Sequence, residues 1–200
     1  MNQLGVIILA AGRSTRMGRP KMLLPWNRST ILGHLLATWS TLPVVQCAVV
    51  CALDDRLMSQ ELDRLDFPKD QRILNPEPEL EMRHSIRYAV RWDGWNPSLT
   101  HWVIVLGDQP HLSVEMLTRL LEQAEAQPRF IWQPRFNGKA GHPVILPKLS
   151  FQQLGSDQDT TLKEFLRRHI CQIRYMETEE TGLHLDLDTP KDYDTAQKHL

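Results

Sequence analysis

The sequence predicts an α/β fold, doubly wound around a mostly parallel sheet. Three observations carry this reading. Short, continuously apolar runs such as Gly5–Ala11, Gln46–Ala52 and His101–Leu106 suit strands buried on both faces. Amphipathic segments alternate with them, the pattern that builds α/β layers. Polar and charged clusters then follow individual runs, at the carboxyl ends where open α/β sheets collect their ligands.

Taken in order, Gly5–Ala11 is the first strand, apolar throughout as a central parallel strand is. Thr30–Trp39 follows as a helix, Gln46–Ala52 as a strand and Asp54–Leu65 as a helix. Arg72–Asn75 is a short strand and Met82–Trp92 a helix. His101–Leu106 is a strand that stops at Gly107-Asp108, and Ser113–Ala126 is a helix opened by Ser113 as its cap. Phe130–Gln133 and Val144–Leu146 read as strands flanking NGKAGHP, a hairpin-like excursion. Thr160–His169 is helical and Ile173–Met176 a strand. Thr189–Lys198 closes the chain as a helix, with Thr189 as cap and Pro190 in its first position. No repeat, low-complexity tract or Pro/Ser linker interrupts the series, so residues 1–200 are expected to form one domain.

Composition narrows the function. Apolar residues make up 42% of the 200, enough for a proper core. The 23 basic and 24 acidic side chains nearly cancel, which argues against a general nucleic-acid binder and makes electrostatic work local to a site. No apolar run approaches the roughly 18 residues of a membrane span, and MNQLGVIILAAG lacks the basic start of a signal peptide. Cys47 and Cys51 share one face of the run QCAVVCA too far apart to bridge, so free thiols in a reducing cytoplasm are expected. The eight histidines show no HxH or HExxH spacing, which gives a zinc site little support.

The strand-end clusters are GRSTRMGRPK, PEPELEMRHS, GDQP and DLDTP. The first holds Arg13, Arg16, Arg19 and Lys21 between and around two glycines. It matches neither GxGxxG nor GxxxxGK[ST], so no dinucleotide or P-loop fingerprint is present. It still suits phosphates: Gly12 frees the exit from the strand, arginine grips phosphate oxygens in pairs, and lysine adds a point charge.

The segment LAAGRSTRMGRPKMLLP resembles the opening signature LAAGxSxRMGxxKxLL of nucleotidyltransferases that activate cofactors and sugars, and is most similar to their molybdenum cofactor cytidylyltransferase branch. GDQP at Gly107–Pro110, GHPVIL at Gly141–Leu146 and DLDTPKDYD at Asp186–Asp194 continue the resemblance in the same order over nearly the full chain. It implies a Rossmann-like fold of the nucleotide-diphospho-sugar transferase type. It also implies Mg2+-dependent transfer of CMP from CTP to molybdopterin, with a transient contact to a cofactor-delivery protein or a molybdoenzyme. Transfer to another phosphorylated acceptor is the alternative, as is a relative that binds a cofactor without transfer or has acquired redox chemistry.

On that resemblance, Arg16 and Lys21 would carry phosphate charge with Arg13, and Asp108 would bind the metal. Asp108 also suits a turn cap, because Asp-x-Pro sequences make turns; its place behind a buried strand and Gly107 favours the metal. Asp188 is the expected second ligand with Asp186 beside it, since the two alternate in DLDTP; Asp188 also suits the start of the last helix. Leu9, Ala10, Ala11 and Gly12 would border the base, with Asn75 and Ser85 on the nucleotide side. Ala11 stands where the guanylyl branch carries a second glycine, which favours cytosine. Gly141 and His142 would face the acceptor, and His142 equally suits a structural hydrogen bond. In NPEPELEMRHS, Glu81 replaces a family glycine, with Arg83 and His84 in place of small residues. Either ordinary nucleotide binding is lost, or, as preferred here, Glu81 turns outward to pair with Arg83 or Arg87 and leaves Arg83 or His84 to meet an anionic acceptor. Thr161 and Lys163 replace glycine and arginine in the later helical block.

Overall fold

In the computed structural model of the chain, residues 2–80, 82–156 and 161–197 are described. Glu81 and the expected helix ends at Thr160 and Lys198 lie outside them. The first half contains β1 (Leu4–Leu9), a small hairpin of β2 (Pro25–Trp26) and β3 (Ser29–Thr30), α1 (Ile31–Ser40), β4 (Gln46–Ala52), α2 (Arg56–Arg64), β5 (Arg72–Asn75) and α3 (Met82–Arg91). The second contains β6 (His101–Leu106), α4 (Val114–Ala126), β7 (Ile131–Phe136), β8 (Lys139–Ala140) and β9 (Val144–Pro147). It closes with α5 (Lys148–Ser156), α6 (Leu162–Arg168), β10 (Ile173–Glu177) and α7 (Pro190–Gln197).

The sheet order is β10-β7-β9-β6-β1-β4-β5, with β8 attached to β7. β1 sits between β4 and β6 and pairs in parallel with both, which is why its first five residues are buried. Its side chains alternate between two apolar layers. Val6 and Ile8 join Leu32 and Leu35 of α1 and Leu117 and Leu120 of α4 on one face. Ile7 joins Ile86 and Ala89 of α3, Phe151 of α5 and Phe165 of α6 on the other. Helices on both faces make the sheet doubly wound, as the alternation in the sequence predicts.

β9 runs against both neighbours, β6 and β7. Val144 therefore lies opposite Ile104 and Pro147 opposite His101. An antiparallel strand begins where its parallel neighbours end, so residues 141–143 arrive at the same edge as the residues that follow β1 and β6.

Helix starts follow local chemistry. Ser113 accepts from Met116 N at 3.2 Å, as expected of the α4 cap. Thr189 exchanges bonds with Asp192 at the start of α7. Thr161, where relatives were expected to carry glycine, forms a capping box with Glu164 and opens α6. Two features were not read from the sequence. Asn137 and Gly138, both at positive φ, form a two-residue turn between β7 and β8 inside NGKAGHP. α5 follows β9 directly, and its Gly155 lies where a side chain would run into Val90 of α3. No helix among the described residues is long and apolar enough to cross a membrane.

Candidate active site

The chain leaves β1 through a loop that is anchored below and charged above. Met17 and Met22 are buried in the core on the α1 and α4 side. Ser14 takes positive φ, and its hydroxyl accepts from Lys21 N at 3.2 Å. Around these anchors Arg13 and Arg16 are exposed, whereas the Lys21 side chain is only 14% exposed. Arg19 is turned away, its guanidinium carbon 5.9 Å from the Tyr193 ring centre.

Lys21 Nζ donates to Asp108 Oδ2 at 2.7 Å and lies 3.4 Å from Asp188 Oδ1. The other oxygen of Asp188 pairs with Arg16 at 2.9 Å. Three distant stretches thus meet at one ammonium. Gly107 makes the approach possible, since a Cβ there would lie 2.7 Å from the Leu9 carbonyl oxygen. Arg13 lies 3.3 Å from Asp54, just past β4, and 3.5 Å from Glu79, just past β5. The loops behind β1, β4, β5 and β6 therefore converge on one charged edge, as the switch-point rule anticipates.

Asp186 and Asp188 find different partners. A hydrogen bond from Asp188 N to Asp186 O, 2.9 Å long, tightens the chain between them. Asp186 Oδ1 accepts from Gln109 Nε2 at 2.9 Å. Burial, and then the charge of Asp108, raises the Asp186 pKa above the ordinary aspartate value.

Beside Lys21 lies a cavity of about 200 Å³ walled by Leu9–Gly12, with Leu106–Asp108 and Pro78, Leu80 and Met82 around it. A second, of about 350 Å³, is bounded by Gly12, Arg13, Ser14 and Lys21 on one side and Asp54 and Arg56 on the other. A third, of about 920 Å³ between α1 and the 65–68 turn, contains none of the expected residues. Asn75 is fully buried: Oδ1 accepts from Glu77 N and Nδ2 donates to Ser85 Oγ. It braces the loop that forms the cavity wall, and Ser85 lines the cavity itself.

The acceptor-side residues are more dispersed. Met82 and Ser85 line the small cavity, while Arg83 and His84, half-buried between them, do not. Gly141 packs against Leu183, where a Cβ would sit 2.8 Å from its Cγ, and its carbonyl accepts from Gln133. His142 Nδ1 lies 3.4 Å from the Ile104 carbonyl, and burial lowers the ring's pKa. Three polar residues escaped the reading of the sequence. Asp54 had its signal, a carboxylate directly past a strand. Glu79 stands inside PEPELEMRHS beside more numerous charged residues, and Gln109 stands inside GDQP.

The donor set suits a divalent cation. Asp108 Oδ1 is buried and finds no hydrogen-bond partner among the described residues. Carboxylate oxygens are hard donors, and Mg2+-like ions take one or two of them plus phosphate oxygens rather than a full protein cage. Among the described residues no group of three or more His, Cys, Asp or Glu side chains is arranged to hold a metal.

Comparison with known proteins agrees with the fold. The chain is 28% identical to the molybdenum cofactor cytidylyltransferase of Escherichia coli K12, over 99% of this chain and 97% of that one. It is 25% identical to a probable molybdenum cofactor guanylyltransferase of Bacillus mycoides, covering 100% and 98%. Rv0371c of Mycobacterium tuberculosis H37Rv superposes with a TM-score of 0.80 at 24% identity over 98% of both chains, and its complex with manganese gives 0.77 over 100% of both. Residues 6–173 match the MobA-like NTP transferase domain. The chain belongs to the MobA-like NTP transferase family and is a nucleotidyltransferase.

Proposed function

We propose that residues 1–200, acting as one domain, transfer CMP from CTP to molybdopterin with Mg2+ and release pyrophosphate. The observation that carries this is the Lys21 ammonium shared by Asp108 and Asp188, beside a cavity walled by Leu9–Gly12. In the reaction a phosphate oxygen of the acceptor bonds to the α-phosphorus. The bond from that phosphorus to the bridging oxygen breaks, and its electron pair leaves with pyrophosphate. Such transfer asks the protein for alignment and charge neutralisation rather than covalent chemistry. Arg13, Arg16 and Lys21 supply the cations. Asp108 and Asp188 would hold Mg2+, with Asp186 next to them, and the ion supplies charge neutralisation on the phosphates when bound. The base lies against Leu9, Ala10 and Ala11, with Asn75 and Ser85 shaping the far wall. Gly141, His142, Arg83 and His84 form the acceptor side.

Two observations support cytosine. Ala11 lines the small cavity where the guanylyl branch carries a glycine, and the cytidylyltransferase relative is 28% identical against 25% for the guanylyltransferase one. The test is incubation with each nucleoside triphosphate, Mg2+ and molybdopterin, with pyrophosphate as the readout. Fastest release with CTP is expected. Equal or faster release with GTP refutes the base assignment, and release only with another phosphorylated acceptor refutes molybdopterin.

A further inference from the structure

Gln109 directly follows Asp108 and has no part in the reaction just described. It is 4% exposed, and its Nε2 donates to Asp186 Oδ1 at 2.9 Å and to Leu183 O at 3.2 Å. Both amide protons are therefore committed to the segment that carries Asp188. The same segment is held on either side of that amide. Leu187 N donates to Asp108 O at 3.2 Å. The His111 ring meets Gly182 O at 2.8 Å, close enough that a Cβ on residue 182 would touch the ring. Leu183 and Leu187 are fully buried beneath it. With the bond between Asp188 N and Asp186 O closing the turn, fixing Asp186 fixes Asp188.

We infer that Gln109 is a positioning residue: its buried amide holds Asp186 as a strut and so sets Asp188 in place beside Asp108 for a divalent cation. Asp186 then serves as the anchor of the segment, and Asp188 as the group that faces Lys21, Arg16 and the cation. A carboxylate accepting from a neutral amide donor makes a charge-assisted bond, shorter and stronger than one between neutral groups. Burial keeps water from competing for it. Outer partners of this kind change metal affinity by about 10- to 100-fold when removed.

The inference rests on the nucleotidyl-transfer reading, and its test does not need turnover. Mn2+ is titrated into the full chain without nucleotide, and the free-ion signal is read by electron paramagnetic resonance. Gln109→Met keeps the bulk and removes the amide; it should weaken Mn2+ binding about tenfold, at the lower end of that range. Asp186→Leu removes the acceptor from the other side and should give the same loss, with the double variant no weaker than either single one. In turnover, the Gln109→Met defect should appear in the Mg2+ concentration required, recover in excess Mg2+, and leave the nucleotide KM unchanged. Should Gln109→Met not fold, Gln109→Asn, one methylene too short to reach Asp186, serves the same comparison. Unchanged Mn2+ affinity in a folded Gln109 variant overturns the inference. So do losses that add in the double variant, which would make Asp186 a ligand in its own right. A parent chain that binds Mn2+ but turns over no nucleoside triphosphate would instead refute the proposed function alone.

Discussion

Lys21→Met tests whether the shared ammonium serves the nucleotide or only the two carboxylates. The substitution removes the charge and keeps most of the stem, which walls both smaller cavities. Of the two contacts, only the 2.7 Å one to Asp108 is a full hydrogen bond; the one to Asp188 is long at 3.4 Å. The gross attraction is about 4 kcal/mol for unit charges 4 Å apart at an effective dielectric constant of ~20. Desolvation takes back much of that, and a charge-assisted hydrogen bond nets about 1.5–3 kcal/mol. A triphosphate that draws on this ammonium should therefore bind about 10- to 150-fold more weakly to the variant. Arg16→Met offers the comparison. Its side chain is 70% exposed, and exposed pairs are worth about 0–1 kcal/mol, so the loss should stay within roughly fivefold. Calorimetric titration with CTP measures both, and titration with molybdopterin should show far smaller changes in each. CTP binding within twofold of the parent by folded Lys21→Met would refute the reasoning and leave Lys21 as the counter-ion of Asp108 and Asp188.

Other outcomes follow from the same geometry. Asp108→Asn should abolish metal-dependent pyrophosphate release while the melting temperature stays close to the parent's, and near-normal release would remove Asp108 from the metal site. Glu79→Gln relieves Arg13 of one exposed partner and should lower the nucleotide KM by up to about fivefold, in line with about 0.2–1 kcal/mol for such pairs; a raised KM contradicts this. Gly107→Ala places a methyl against the Leu9 carbonyl oxygen and should cost about 1–3 kcal/mol in urea unfolding, with turnover lost in parallel. His101, between Thr100 and the Pro128 carbonyl, has its pKa lowered by burial. Its contribution to stability is complete above its unfolded value of about 6.5 and is lost as pH falls toward the folded value. The urea midpoint of His101→Gln should thus drop less between pH 7.5 and pH 5 than that of the parent.

The central parallel strands β1, β4 and β6 were legible because each is largely buried and leaves an apolar run. α5 was not. KLSFQQLGS shows only Phe151 and Leu154 at helical spacing, Leu149 is 74% exposed, and Gly155 suggests a break. The glycine is there because Val90 of α3 packs against its backbone, a fact of tertiary packing that local propensity does not contain. At the edge, Lys21, Asp108 and Asp188 were readable from strand-end position together with the family motifs. The division of labour between Asp186 and Asp188 was not, because alternation in DLDTP presumes an extended chain. The hydrogen bond inside that segment and the amide of Gln109 decide where each carboxylate goes.

The pairing of Arg13, Arg16 and Lys21 with carboxylates of the chain itself has a consequence for selectivity. A small anion that reaches one of these cations must compete with an acid already in place and gains almost nothing by the trade. A chain of linked phosphates engages several at once, and after the first contact each further one is intramolecular, at an effective concentration in the millimolar range or above. The edge thus acts as a valence filter. Chloride, acetate and inorganic phosphate should barely inhibit the enzyme, whereas pyrophosphate, with two linked groups, should be retained after transfer and inhibit as a product.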